Sequence, residues 1–505
     1  MNTAEHSDPG PPELPQHLRI TMAADVERLK GRDATTVLLG GSPLRLLRLR
    51  PAAVTELDRL LGGAGIGPRA GVQRLVRRLL DAGVVDPVWP VGSPTGCSVA
   101  DVTMVIPARD RSAMLSALLA SVASLPGDDR PDHVIVVDDG STDDTAATAH
   151  RFGATVIAIA DPLGPGGARN AGLAAVGTLL VAFVDSDCQL RPGWLGPLLA
   201  HLDDSAVALV APRIVGPDAA RGASRPAVER YEAACSALDR GPRGGYVRPM
   251  TRIPFVPAAA LVGRVAPLKA AGGFATDLRV GEDVDLVWRL HAAGARVRYE
   301  PSATVAHTHR SRLGDMLRRR AQYGTSAAVL TERHPGKVTP LAVSGWSLTA
   351  WLLVGLGGLP GVVAGIGVAT GTSALLPRKL DMLADPRPVA WRLAMRGHLG
   401  AGRLIASAVW RAWLPLALLA AVGSRRARVA VAAAAVLPAM AEWRGASDRP
   451  TEIDPVRFIA LRMAEDTAYC AGVWLGCVRR RSAAALVPDL RNWPGRRRAR
   501  EDVRS

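Results

Sequence analysis

Two aspartates separated by one residue, Asp185 and Asp187, close the apolar run LLVAFVDSDC. Alternate residues of an extended segment share a side, so both carboxylates face one way at the carboxyl end of a strand. Two hard oxygen ligands there suit Mg²⁺ or Mn²⁺ bridging to a diphosphate, where the ion neutralises charge on a leaving group. A D-x-D by itself is common in solvated turns, but this one follows a buried-looking strand and has company. HVIVVDDGSTDDT places Asp138 and Asp139 at another strand end. There a carboxylate either closes the turn at Gly140 and Ser141 or accepts hydrogen bonds from a nucleotide base. In GPGGARNAG, Arg169 stands where a dinucleotide fingerprint needs glycine, which argues against a dehydrogenase, while an arginine beside a glycine turn suits a phosphate.

Further on, GEDVDLVWRL sets Glu282 and Asp283 behind a glycine at the start of an amphipathic helix. Acidic residues in a first helical turn have a structural use against the helix dipole; the chemical use is a general base that takes a proton from an attacking hydroxyl. His307 and His309 form an H-x-H at the end of RVRYEPSATVAHTH. Beside the D-x-D, either is a candidate further metal ligand.

These residues need a scaffold that gathers strand ends. From Thr103 the chain alternates short β-branched runs (VTMVIP, HVIVVD, TVIAI, LLVAFV) with helical stretches beginning near Ser112, Asp144 and Ala168. That order predicts an α/β domain with a mainly parallel, doubly wound sheet, whose ligands bind beyond the carboxyl ends of the strands. Ahead of it, residues 18–92 read as a strand hairpin turning at Gly40-Gly41 plus two helices, PAAVTELDRLL and GVQRLVRRLLDAGVV: a winged-helix-like unit. Residues 1–17 are polar and Pro-rich with no apolar signal segment, which predicts a disordered, cytosolic start.

The chain has 505 residues and a net charge of +16, of which +13 lies from Lys337 onward (24 Lys and Arg against 11 Asp and Glu). The same portion holds a 40-residue stretch, 338–377, free of Lys, Arg, Asp and Glu. A basic and apolar tail points to an anionic membrane surface and away from nucleic acid. Residues 338–478 thus read as an apolar helical, membrane-associated region broken into a hairpin near Gly358–Gly361, and 479–505 as a basic tail. The basic blocks at 425–428 and 479–481 place the catalytic domain on the cytoplasmic side of the cell membrane. Five cysteines without a C-x-x-C pair fit neither a disulfide framework nor a zinc cage.

VIPARDR, VVDDGSTDDT, GGARNAG, VDSDC and GEDVDLVWRL, in this order over residues 100–335, closely resemble the family 2 nucleotide-diphospho-sugar transferases. The resemblance implies the GT-A fold and an inverting attack of an acceptor hydroxyl on the anomeric carbon, with the nucleoside diphosphate leaving from the opposite face. It implies that Pro107, Arg109, Asp138 and Asp139 form a uridine pocket and that Asp185 and Asp187 serve the ribose and the metal. It further implies that Asp283 is the base, with Glu282 as second candidate, and that His309 or His307 adds a metal ligand. Processive relatives carry Q-x-x-R-W after the acid pair; RRRAQYGTS stands here, leaving Arg319, Arg320 and Tyr323 as candidates for acceptor contact. TTVLLGGSPLRLLRLRPAA and LVRRLLDAGVV resemble PqqD-like peptide-recognition elements. The combination implies transfer of glucose, from UDP-glucose, onto a peptide-derived acceptor to build a β-linked oligoglucoside. The alternative is a membrane-associated transferase of cell-envelope polysaccharide or glycolipid synthesis, which has no need of peptide recognition. A nucleotidyltransferase would need a Gly-rich basic signature after the first strand, which VIPARDRS lacks.

Overall fold

The computed structural model describes residues 12–89, 96–217, 226–446 and 453–491; the expectations for residues 1–11, for the last three residues of the 18–92 unit and for 492–505 lie outside the described residues. The chain forms two compact units: Met1–Ser224 with Cys235–His309, and Arg225–Ala234 with Arg310–Ser505.

The first unit opens with β1 (Arg19–Met22), β2 (Glu27–Lys30), β3 (Thr36–Gly40), β4 (Arg45–Leu49), α1 (Pro51–Leu61), α2 (Ala70–Ala82) and β5 (Val85–Val88). Strands β2, β3 and β4 make an antiparallel sheet and β1 pairs with β5. The expected hairpin turns at Gly41, whose φ of 82° is costly for any residue with a Cβ. The end of GVQRLVRRLLDAGVV departs from helix, because Gly83 takes a left-handed C-cap and Val85 begins β5. Order also begins earlier than residue 18: Leu14 is buried, and its N–H and C=O both bond the Gln73 amide.

The α/β part follows as β6 (Val102–Ala108), α3 (Ser112–Ala123), β7 (His133–Asp138), α4 (Thr145–Arg151), β8 (Thr155–Ala158), α5 (Gly164–Ala175), β9 (Leu180–Val184), β10 (Cys188–Gln189), α6 (Gly196–Leu202) and β11 (Val207–Val215). After α7 (Ala227–Cys235), most of which lies in the second unit, come β12 (Gly245–Tyr246), β13 (Ala260–Arg264), α8 (Val265–Ala270), α9 (Glu282–Ala292) and β14 (Arg296–His307). They build a nine-stranded mixed sheet in the order β10-β14-β11-β13-β9-β6-β7-β8, with β12 on β14. Strands β8, β7, β6 and β9 are parallel, and β13 enters antiparallel between β9 and β11. The chain builds from β6 outward to β8 and then crosses back to β9, a reversal that opens a cleft at the strand ends. Continuous apolar strands bury both faces; all of β9 is inaccessible. Gly172 lets α5 lie close on the sheet, since a Cβ there would stand 2.3 Å from Val105.

The second unit contains α10 (Leu313–Arg333), β15 (Ala342–Ser344), α11 (Gly345–Leu356), α12 (Gly358–Leu375), α13 (Pro386–Arg411), α14 (Leu414–Gly423), α15 (Arg425–Ala446), α16 (Pro455–Arg480) and β16 (Asp489–Arg491). The α10 stretch, expected inside a 100–335 transferase domain, belongs here: it packs along α16 through glycines. A Cβ on Gly324 would meet the Tyr469 carbonyl, and one on Gly472 or Gly476 the carbonyls of Ala321 or Thr325. The uncharged stretch folds as the expected helical hairpin, α11 and α12, hinged at Gly357 and Gly358. Among the described residues one segment, Gly358–Lys379, is long and apolar enough to cross a membrane; α13 and α14 pass the same test only as a pair bent by 93°.

Candidate active site

The carboxyl ends of β6, β7 and β9 and the start of α9 deliver the acidic residues. Arg169 on α5 is the centre of the arrangement. Its Nη2 donates to Asp185 Oδ1 at 2.5 Å and its Nη1 to Glu282 Oε1 at 3.1 Å, and its guanidinium lies 5.3 Å from the centre of the Phe274 ring. Burial alone would weaken its charge, but the two carboxylates hold it protonated. Arg169 is 3% exposed, so the expected direct grip on a phosphate is corrected: the side chain is spent on joining the D-x-D to the acid pair across 113 residues of sequence.

Glu282 and Asp283 begin α9 behind Gly281, which takes a left-handed conformation at φ 85°. Burial, with Asp283 alongside, pushes Glu282 up to about 7 in spite of Arg169. Asp283 is also pushed up by burial, with part of the effect offset by backbone N–H groups. Those donors are Val284 to Oδ1 at 2.8 Å and Ala258 to Oδ2 at 3.3 Å. Glu282 is buried whereas Asp283 is half-buried, so Asp283 is the more accessible of the two.

Asp187 and His307 meet because β10 pairs antiparallel with β14, setting Cys188 opposite His307. His307 Nε2 is 3.3 Å from Asp187 Oδ1. Burial would raise Asp187, but the hydrogen bond and charge of His307 bring it down to about 2. The His309 ring lies over Gly216, where a Cβ would stand 2.3 Å from Nε2. The four-ligand set Asp185, Asp187, His307 and His309 is not assembled: among the described residues no three His, Cys, Asp or Glu side chains converge to hold a metal, since Asp185 is turned to Arg169. Asp187 and His307 do offer an oxygen and a nitrogen donor at one place, a partial set whose chemistry fits a divalent ion.

At the end of β7, Asp139 uses both oxygens to hold the entry of α5, accepting from Leu163 N–H at 2.7 Å and Gly164 N–H at 2.9 Å. Asp138 Oδ1 accepts from Ser141 N–H at 3.0 Å. Turn closure thus falls to Asp138, and Asp139 ties the strand end to α5. Pro107 is half-buried in β6 opposite Val137, and Arg109 is exposed just beyond the strand. Of the acceptor candidates, Arg320 is corrected: it is 4% exposed inside the helical unit and paired with Glu232 at 3.1 Å and Glu465 at 2.9 Å. Arg319 lies 4.8 Å from the centre of the Tyr323 ring.

Sequence reasoning passed over Asn170, Trp288 and the 254–259 segment. Asn170 Oδ1 accepts from Phe274 N–H and its Nδ2 donates to Phe274 O, both at 2.8 Å, which sets the loop leading to the acid pair. Its place beside Arg169 in GGARNAG was the available signal. The 254–259 segment carries no charged residue, and its part is played by backbone groups.

Residues 103–262 match the Glycosyl transferase family 2 profile. The chain is 43% identical to pre-mycofactocin glycosyltransferase of Mycobacterium tuberculosis over 465 residues, 90% of this chain and 95% of the relative. It is also 28% identical, over 40% of its length and 60% of the relative's, to succinoglycan biosynthesis protein ExoU of Rhizobium meliloti. Among solved structures, glucosyl-3-phosphoglycerate synthase from Mycobacterium tuberculosis in complex with Mg²⁺ and uridine-diphosphate aligns at 21% identity and a TM-score of 0.34, covering 49% of this chain and 84% of that one. The fold is the GT-A α/β fold, and the chain belongs to glycosyltransferase family 2, in the group of the pre-mycofactocin glycosyltransferases.

Proposed function

We propose that this glycosyltransferase moves glucose, from UDP-glucose, onto pre-mycofactocin with inversion and builds a β-linked oligoglucoside. The observation that carries the chemistry is Arg169 tying Asp185 to Glu282 with Asp283 beside them. It unites the donor-side and acceptor-side acids in one cleft. The acceptor assignment rests on similarity along nearly the whole relative.

Asp283 acts as the base. Burial raises its proton affinity, and two backbone N–H groups aim its carboxylate, so it takes the acceptor proton as the hydroxyl oxygen attacks the anomeric carbon. Glu282, held by Arg169, fixes the start of α9 against the D-x-D. Asp138 accepts from the uracil and Asp185 from the ribose. Asp187 and His307 would hold a Mg²⁺ or Mn²⁺, which supplies charge neutralisation on the diphosphate. Arg319 and Tyr323 remain the acceptor candidates on the helical unit.

The exposed apolar faces of α12 and α14, including Leu359, Val363, Leu419 and Val422, and the basic residues Arg425, Arg426 and Arg428 support docking of the helical unit on the cytoplasmic face of the cell membrane. A second reading, a transferase of envelope polysaccharide or glycolipid, draws on the same apolar surface and on the similarity to ExoU. Mass spectrometry after incubating the chain with pre-mycofactocin, UDP-glucose and Mn²⁺ separates the two. A ladder spaced by one hexose supports the leading reading. No ladder, together with transfer to a membrane extract, replaces it with the second.

A further inference from the structure

We infer that the β3–β4 turn of the N-terminal unit is a positioning element of the catalytic site, acting through Ser42, Arg248 and the segment that ends at Ala259. The inference rests on Asp283 being the base. The turn is itself held in place: a Cβ on Gly41 would stand 2.3 Å from the Ala82 carbonyl at the end of α2, so turn and helix end are in close contact. From this support Ser42 O accepts from Arg248 Nη2 at 2.6 Å, and Ser42 Oγ accepts from the Arg252 backbone N–H at 2.8 Å. Arg252 also reaches Asp25 at 3.4 Å and donates to Gly244 O at 2.9 Å.

The loop so gripped is tightly closed. Arg248 N–H donates to Ile253 O at 3.1 Å, and Thr251 Oγ1 bonds the carbonyls of Arg248 and Ile253. Met250 holds φ at 61°, a left-handed conformation that a residue with a side chain adopts at a cost. From Ile253, which is buried, the chain leads to groups that bond both acid motifs. Pro254 O accepts from Trp288 Nε1 at 2.7 Å on α9, and Ala258 N–H donates to Asp283 Oδ2 at 3.3 Å. Ala259 O accepts from Asp185 N–H at 2.9 Å. One short segment is therefore clamped at its start by the N-terminal unit and at its end by the base and the D-x-D. Small displacements of such groups are costly to rate because the reacting atoms must be held at near-contact distance. The N-terminal unit thus helps to set the catalytic geometry, whatever else it binds.

The test uses the full chain with Ser42→Ala combined with Arg248→Met, and Ser42→Ala alone as the variant that removes a single bond. Two readouts are needed: hydrogen exchange of residues 254–259, and steady-state release of UDP from UDP-glucose. The double variant is expected to exchange the Ala258 amide about tenfold faster. Its kcat is expected to fall about tenfold, with the donor KM within about twofold, and Arg248→Lys, which keeps a cationic donor at that position, to recover part of the loss. Unchanged exchange at 254–259 overturns the inference, as does an unchanged kcat or a loss confined to KM. If the parent chain releases no UDP, the functional reading fails by itself and the exchange data still decide whether the turn holds the segment.

Discussion

Two buried arginines each bridge two carboxylates brought from distant parts of the chain, one in each unit, and they differ in what surrounds them. Arg169 faces Asp185, whose side chain is 29% exposed, and Glu282, with Asp283 adding a third acid. Arg320 faces Glu232 and Glu465, both 6% exposed, and Tyr231 Oη donates to Glu465. Around Arg320 the charges approach balance, since Arg462 and Arg411 join it against Glu232, Glu442, Glu465 and Asp466. Around Arg169 one cation answers three carboxylates at a cleft. An acid surplus that solvent can reach is what a site needs to take up a proton or a cation; a sealed trio of Arg320, Glu232 and Glu465 inside a nearly matched cluster holds helices in register.

The largest effect expected is at the open cluster. Asp283→Asn should lower kcat by about 10²–10⁴-fold while the protein stays folded and binds UDP, as seen by single-turnover kinetics and calorimetry. Full activity in that variant would remove the functional half of the contrast. At the sealed cluster, Arg320→Met should cost about 3–5 kcal/mol of stability because it strands two buried carboxylates, measured by denaturant unfolding of the helical unit. Loss of catalysis at unchanged stability would show the two clusters to be alike. Gly472→Leu should also destabilise the seam of α10 and α16, because its Cβ would meet the Ala321 carbonyl; thermal unfolding should read a lower midpoint at unchanged UDP affinity.

The smallest effect is a pH slope. Glu282 is raised to about 7 in the folded state, chiefly by burial, so the folded chain binds its proton more tightly than the unfolded chain does. The stability this contributes is fully present below the ordinary carboxylate range and is lost as pH rises through about 7. Thermal unfolding between pH 4.5 and 7.5 should decline more steeply in the parent than in Glu282→Gln. Equal slopes would place the acid surplus elsewhere.

Much of the α/β unit was legible in the sequence, because buried parallel strands need continuous apolar runs and their polar ends stand out against them. Asp138, Asp139, Asp185 and Asp187 stand out that way, and Glu282 and Asp283 by the glycine ahead of an amphipathic helix. The work of Arg169 was read too directly: local spacing shows an arginine near glycines, but not two carboxylates 16 and 113 residues away. Arg320 was misjudged for the same reason, since its partners lie 88 and 145 positions off. The seam of α10 and α16 was invisible because glycine signals close approach only once the opposing helix is known.

What the sequence determined by itself is therefore the kind of sheet, the location of its chemical residues at strand and helix ends, and the apolar, basic character of the last third. These follow from short-range rules of periodicity and capping. Tertiary structure alone decided which acids share a guanidinium, which of Glu282 and Asp283 is reachable, that His307 meets Asp187, and that a turn of the N-terminal unit touches the segment carrying Ala258. Those outcomes depend on strand register and on contacts between residues far apart in the chain, and no local pattern encodes them.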